Sequence, residues 1–179
     1  SAPPMESYDL HQAARLGTLA SVPPAILASE QLLQRNPSGT TPLHAIARHG
    51  GLEFIPPSAL TEQALTLRND SGYTPIHLAA EGGQLSKLPP GFLTDAFLSL
   101  ASNSGYTVYH VAAAHGHLGQ IPAALLTAEV VTRKTHLGNT LLHEAAENGA
   151  LDRVPPAFLT PENILERNLG GETVLHVAA

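Results

Sequence analysis

Apolar and polar positions follow one pattern that returns every 33 residues along the chain. Its clearest copy is the run 74–80, which reads Thr-Pro-Ile-His-Leu-Ala-Ala and is soon followed by two glycines. Thr is a favoured helix N-cap, and Pro suits the first helical position. The small side chains of the Ala-Ala pair let such a helix pack close to its neighbours. The pattern therefore predicts a short helix over 75–82, ended by a glycine in the left-handed conformation.

Several columns of identical residues keep this register, which is typical of a stacked repeat array. Two glycine columns and two leucine columns share the spacing of a histidine column. The histidine column contains His11, His44, His77, His110, His143 and His176. The predicted fold is all-α, a repeat solenoid that forms a single domain over 1–179. Its five repeats are 6–38, 39–71, 72–104, 105–137 and 138–170, and residues 171–179 supply a C-terminal capping helix.

Prolines interrupt the second half of every complete repeat. Repeat 39–71 reads Ile55-Pro56-Pro57, and the other four carry one or two prolines at the same place. A proline inside a helix removes a hydrogen bond and clashes with the preceding turn, at a cost of ~3 kcal/mol. A long second helix is therefore excluded. We expect two short helical turns instead, the first ending at Leu60 and the second capped by Thr61.

Composition and charge exclude several function classes. The chain is 43% hydrophobic but only 4% aromatic, so its core must be built from aliphatic side chains. The net charge is −6 and the nine Lys and Arg form no run, which argues against nucleic-acid binding. No apolar run reaches the ~18 residues that a membrane span needs. Cysteine is absent, and the chain starts at Ser1 without Met. We expect a periplasmic protein in its mature form after signal removal, with a cytoplasmic location or a trimmed chain as the alternatives.

The period of 33 residues with Gly-x-Thr-Pro-Leu-His-x-Ala-Ala resembles the ankyrin-repeat family over nearly the whole chain. The proline-containing half departs from the usual family pattern and resembles a bacterial branch. That branch is similar to periplasmic self-protection ankyrin proteins of predatory bacteria, which block a peptidoglycan-cutting peptidase. The resemblance implies a non-enzymatic protein-binding module that acts through its concave face. It also implies that the column histidine is structural and bonds the Thr hydroxyl and a neighbouring backbone.

The residues give little support to metal binding or catalysis. Metal ligands must converge within ~2.0–2.1 Å of one ion, whereas stacked repeats are ~10 Å apart, so column histidines cannot share a metal. His115 and His117 could touch one ion, but a polar surface role is the favoured interpretation. Glu144 and Glu147 lie one helical turn apart and are expected on a solvated face rather than as an acid–base pair. No catalytic residue, metal or cofactor is predicted.

Residues that vary between repeats at the turn tips and at the outer ends of the first helices form the predicted binding surface. We call this set the candidate strip. Two tyrosines on successive tips are plausible anchors, since Tyr is enriched in binding hot spots. The alternative is that each tyrosine covers its neighbour's turn. The strip also changes sign, from Arg15 and Arg48 early in the chain to acidic residues, with Glu172 among them, late in it. Its members are Tyr73, Tyr106, Arg48, His49, His115, Asn139, Glu144 and Glu147.

The favoured function hypothesis is a protein, monomeric on its own, that covers and neutralises a partner enzyme. A secreted or periplasmic hydrolase is the expected partner, and no nucleic acid or membrane is expected. The first alternative is a general scaffold or adaptor. The second is a small-molecule or metal-dependent enzyme, which would need a concave, partly apolar pocket with converging polar groups.

Overall fold

A computed structural model describes residues 7–179. In this range eleven α-helices alternate with short 3₁₀ turns, and no β-strand is present. The all-α repeat organisation is therefore confirmed. None of the described helices is both long and apolar enough to cross a bilayer. The helices are α1 (Leu10–Leu16), α2 (Pro24–Leu27), α3 (Pro42–His49), α4 (Glu62–Leu65), α5 (Pro75–Glu81), α6 (Asp95–Leu98), α7 (Val108–Ala114), α8 (Ala128–Thr132), α9 (Leu141–Glu147), α10 (Pro161–Ile164) and α11 (Val174–Ala178).

The first helix of a repeat begins and ends where local chemistry requires. In α5, Thr74 is the N-cap and its side chain accepts a hydrogen bond from the backbone N–H of His77. Pro75 occupies the first helical position. The helix ends at Glu81, one residue earlier than predicted, and the chain then turns through Gly83 with φ of 71°. A positive φ costs glycine little, and the whole column Gly17, Gly50, Gly83, Gly116 and Gly149 has it.

The second half of each repeat consists of short turns, which confirms the predicted break in the second helix. In repeat 39–71, Pro56 precedes a 3₁₀ turn over Pro57–Ala59. Leu60 leaves the helical conformation with ψ of 61°, and Thr61 then caps α4 through a 3.1 Å bond from the N–H of Ala64. Thr94 holds the same position before α6, but its side chain makes no capping bond.

The buried side chains are mainly aliphatic, as the composition predicts. Leu43, Ile46 and Ile76 are completely buried between the first helices of successive repeats. In one part of the chain α3 packs between α1 and α5, and in the other α9 packs between α7 and α11. The chain divides into two compact units, Ser1–Pro89 and Pro90–Ala179. The single domain over 1–179 stays a prediction.

A close helix approach in the N-terminal unit depends on a glycine. Gly82, which follows α5, has an ordinary φ of −84°. A Cβ atom at this position would lie 1.7 Å from the carbonyl oxygen of Arg48 near the end of α3. The two helix ends can therefore meet only because this side chain is absent. The approach also brings Arg48 within 2.7 Å of Glu81, with which it forms an ion pair.

Candidate functional site

Buried column histidines connect the start of a helix to a backbone carbonyl further along the chain. The Nδ1 atom of His44 accepts the backbone N–H of Thr41 at 3.1 Å and lies 2.8 Å from the Thr41 hydroxyl. Its Nε2 atom lies 3.0 Å from the carbonyl oxygen of Tyr73. Because Nδ1 accepts the N–H bond, the neutral ring carries its proton on Nε2 and donates it to that carbonyl.

His143 repeats this arrangement in the C-terminal unit, whereas the Nε2 contact of His110 is to a carbonyl of its own repeat. The Nε2 atom of His110 is 3.0 Å from the Arg133 carbonyl, and that of His143 is 3.1 Å from the Glu172 carbonyl. Burial lowers the pKa of His44, and it lowers the pKa of His110 to about 4 against the partly compensating backbone bonds. The rings of His44 and His110 are therefore uncharged at neutral pH and unsuited to bind an anionic partner.

Both candidate tyrosines are half-buried and rest on the histidine of their own repeat. The ring of Tyr73 meets His77 edge-on, with 5.3 Å between centroids. The ring of Tyr106 meets His110 in the same way at 6.3 Å, and its hydroxyl also donates to the Glu144 carboxylate. Each tyrosine ring thus covers a buried histidine, while part of its side chain stays accessible to solvent. The role of the two rings as anchors stays a prediction.

Three candidate residues lie at exposed helix ends. Arg48 and His49 finish α3, and the Arg48 side chain remains half-exposed despite its ion pair with Glu81. His115 follows α7 and stacks on His117 with 6.5 Å between nearly parallel rings. Within the described residues no group of three or more His, Cys, Asp or Glu is arranged to hold a metal ion.

The remaining candidates separate into buried and exposed residues. Asn139 and Glu144 are only 7% and 3% exposed, whereas Glu147 faces solvent. The predicted solvated face is therefore wrong for Glu144, because this carboxylate lies under Asn139, whose Nδ2 donates to it at 2.9 Å. Burial raises the pKa of Glu144, with a smaller contribution from the charge of Glu147, while the bonds from Asn139 and Tyr106 oppose the rise.

Sequence reasoning missed Asn168, which extends this arrangement. Its Nδ2 atom donates to Asn139 Oδ1 at 3.0 Å and to Glu172 Oε2 at 3.2 Å. A signal was present, since Asn36 and Asn69 stand at the same place in earlier repeats and accept backbone N–H groups across their turns. Such a turn role could have been predicted, but the two side-chain bonds to neighbouring residues could not.

Comparison with known families agrees with this geometry. Residues 10–88 match the family model for ankyrin repeats as three copies. Residues 10–88 therefore form an ankyrin-repeat segment. The capped helices and left-handed glycines of that segment recur in α7, α9 and the turns around them. No curated protein matches the chain. Ankyrin repeats are generally protein–protein interaction modules and are typically non-enzymatic.

Proposed function

We propose that the protein binds one partner protein through the candidate strip and that binding neutralises a partner enzyme. One observation carries the proposal: the repeated polar side chains are buried and bonded, while non-repeating ones remain accessible at the helix ends. His44, His110 and His143 are at most 1% exposed, whereas Arg48, His49, His115 and Glu147 face solvent. A scaffold that buries its repeated groups and varies its exposed ones is suited to recognise another surface.

The charges of the strip support an oriented partner. Arg15 and Arg48 are exposed in the N-terminal unit, and Glu147 and Glu172 are exposed in the C-terminal unit. Charge patterns of this kind steer association and set its register more than they add affinity. The pair between Arg48 and Glu81 weakens the basic part, so we expect the acidic part to contribute more to orientation.

We further propose that the partner is a secreted or periplasmic hydrolase, with a peptidoglycan-cutting peptidase as the most concrete case. This follows from the resemblance of the proline-containing repeats to a bacterial self-protection branch. Capture from a periplasmic extract of the source cell, followed by titration of the captured enzyme's activity, tests the idea. Loss of activity at equimolar binding would support neutralisation. Full activity in the complex would refute it and favour a scaffold.

The double change Tyr73→Ala with Tyr106→Ala tests the place of binding. Truncating one tyrosine anchor costs about 2 kcal/mol, or about thirtyfold in affinity, so the double variant should nearly abolish capture. The matched control is Phe54→Ala with Phe158→Ala, which removes two aromatic rings from the proline-containing halves of the repeats. Full capture by the tyrosine variant would contradict the proposal. A lost fold, seen by circular dichroism, would show that the rings serve packing alone.

A further inference from the structure

The C-terminal unit has an open cavity lined by both polar and apolar side chains. Its volume is about 470 Å³, and Leu137 and Leu169 form part of its lining. These two leucines are 60% and 79% exposed, which makes them two of the most exposed large apolar side chains in the described part of the protein. Burying this exposed aliphatic surface under a partner would lower the free energy of the complex.

The polar lining of this cavity presents acceptors. Its four hydrogen-bonding side chains, apart from a histidine, are Asn139, Glu147, Asn168 and Glu172. The amide groups of both asparagines are already engaged, since Asn139 donates to Glu144 while Asn168 donates to Asn139 and to Glu172. Asn168 thus uses both of its amide hydrogens and Asn139 uses one of its two, while the carboxylate oxygens of Glu147 and Glu172 are acceptors that can meet a ligand.

No basic side chain of the described residues compensates these carboxylates. The residues that line the cavity include neither Lys nor Arg. Glu147 and Glu172 form no ion pair within residues 7–179. The nitrogen Nδ1 of the lining residue His176 faces Thr173 at 2.7 Å and is occupied there. An anionic ligand would be repelled from such a site, whereas a cation would be attracted to it.

We propose that this cavity binds an arginine or lysine side chain that a partner protein inserts from a mainly aliphatic segment. The cationic head would meet Glu147 and Glu172, and the stem would lie against Leu137 and Leu169. Long basic side chains bury their methylene stems on apolar surface while the charged head keeps polar partners. Arginine suits the site better than lysine because its planar guanidinium can donate two parallel hydrogen bonds to one carboxylate. This inference rests on the proposed function and adds the chemistry of the partner's contact residue.

The test uses the full chain and the acetylated, amidated tripeptide Leu-Arg-Leu. The comparison peptide is Leu-citrulline-Leu, which has nearly the same shape but no charge. Binding is followed by NMR through the side-chain amide signals of Asn139 and Asn168. We expect saturable shifts with the arginine peptide and binding weaker by about tenfold or more with the citrulline peptide. Equal binding of both peptides, or no saturable shift with either, would overturn the proposal.

Variants then locate the contact. The double variant Glu147→Gln with Glu172→Gln should bind the arginine peptide more weakly by about tenfold or more. Glu129→Gln with Glu162→Gln is the matched control, because both acids are exposed in the same compact unit but do not line the cavity. The control should leave binding unchanged, and equal losses in both variants would indicate only a general charge effect and refute the site. Calcium chloride alone producing the same amide shifts would show an inorganic cation site and would also refute it.

The peptide measurement needs no partner protein, so it fails independently of the proposed function. Loss of peptide binding with intact capture of a hydrolase would reject the basic contact and keep the protein-binding role. Peptide binding without any hydrolase capture would support the cavity and reject neutralisation.

Discussion

His110 uses both nitrogens of one neutral imidazole to hold two backbone segments. His110 bonds Thr107 at the start of α7 through Nδ1 and the carbonyl of Arg133 through Nε2. Protonation would place a second N–H at Nδ1, opposite the backbone N–H of Thr107, and would replace an attraction by a repulsion. Burial and this geometry therefore act in the same direction, toward an uncharged ring.

At the residue scale, we expect acid to destabilise the fold through His110. Its folded pKa is about 4 and its unfolded pKa about 6.5, so the unfolded chain binds more protons between these values. The stabilisation is complete above pH ~6.5 and is lost as the pH falls toward 4, by about 3 kcal/mol in total. His110→Gln keeps a donor and an acceptor but cannot be protonated. In urea unfolding, its free energy of unfolding should therefore depend less on pH between 6.5 and about 4. An unchanged slope would contradict a buried neutral ring.

Glu144 should give stability the opposite pH dependence, because its pKa is raised in the folded protein. Because its folded pKa is raised, its contribution is most favourable at low pH and declines as the pH rises through that pKa. Glu144→Gln removes the cost of burying a charge and retains an acceptor for Asn139. We expect the variant to gain stability relative to the natural protein as the pH increases to 8. Glu162→Gln is the control, because this exposed acid is not among the charges that shift Glu144, and it should change the pH dependence little. The same gain in both variants would refute this interpretation.

Elements are shaped by two different constraints. Prolines divide the second half of each repeat because they cannot continue a helix, and this effect needs no partner. The end of α5 is different, since Gly82 has ordinary backbone angles and is required only by the nearby Arg48 carbonyl. The proline breaks are thus set by local conformation, whereas glycine at the end of α5 is required by the approach of α3.

Gly82→Ala tests the second constraint. Its Cβ would lie 1.7 Å from a backbone oxygen, so the ends of α3 and α5 must separate, and overpacking of this kind costs about 1–3 kcal/mol. Gly119→Ala is the control, because nothing lies within 4 Å of the added Cβ and no positive φ is involved. Urea unfolding of both variants gives the difference. Equal stability of the two variants would show that α3 and α5 adjust freely.

Over the whole molecule, burial changes from repeat to repeat. Six of the seven residues of α9 are buried, but in α11 only Val174 is. In α10 no residue is fully buried, and Leu165 and Leu175 are 57% and 54% exposed. Stability in repeat arrays comes from each repeat and its contacts with neighbours, so the cap should open most readily.

Native-state hydrogen exchange measures this difference at two matched amides. The N–H of Glu144 bonds the Thr140 carbonyl at 3.2 Å, and that of Val177, 33 residues later, bonds the Thr173 carbonyl at 3.1 Å. Their local bonds are nearly the same, so a difference in protection reports the surrounding packing. We expect Val177 to exchange faster by about tenfold or more. Equal protection would mean that the cap opens together with the preceding repeat.

Features that depend on residues a few positions apart could be predicted without the structure. Thr-Pro starts each first helix, glycine ends it, and prolines divide the second half, because caps, left-handed turns and proline clashes act within about one helical turn. The period of 33 then gives the stacking and the ankyrin-repeat assignment. The candidate strip was predictable only as a set of variable positions.

Tertiary structure alone decided how those variable positions behave. Glu144 and Glu147 are one turn apart on the same helix, yet one is buried beneath Asn139 and the other faces solvent. The ion pair of Arg48 with Glu81 and the bond of Asn168 to Asn139 join residues about one repeat apart. Such contacts depend on which side chain the next repeat places opposite, and a pattern that averages over repeats does not contain that information.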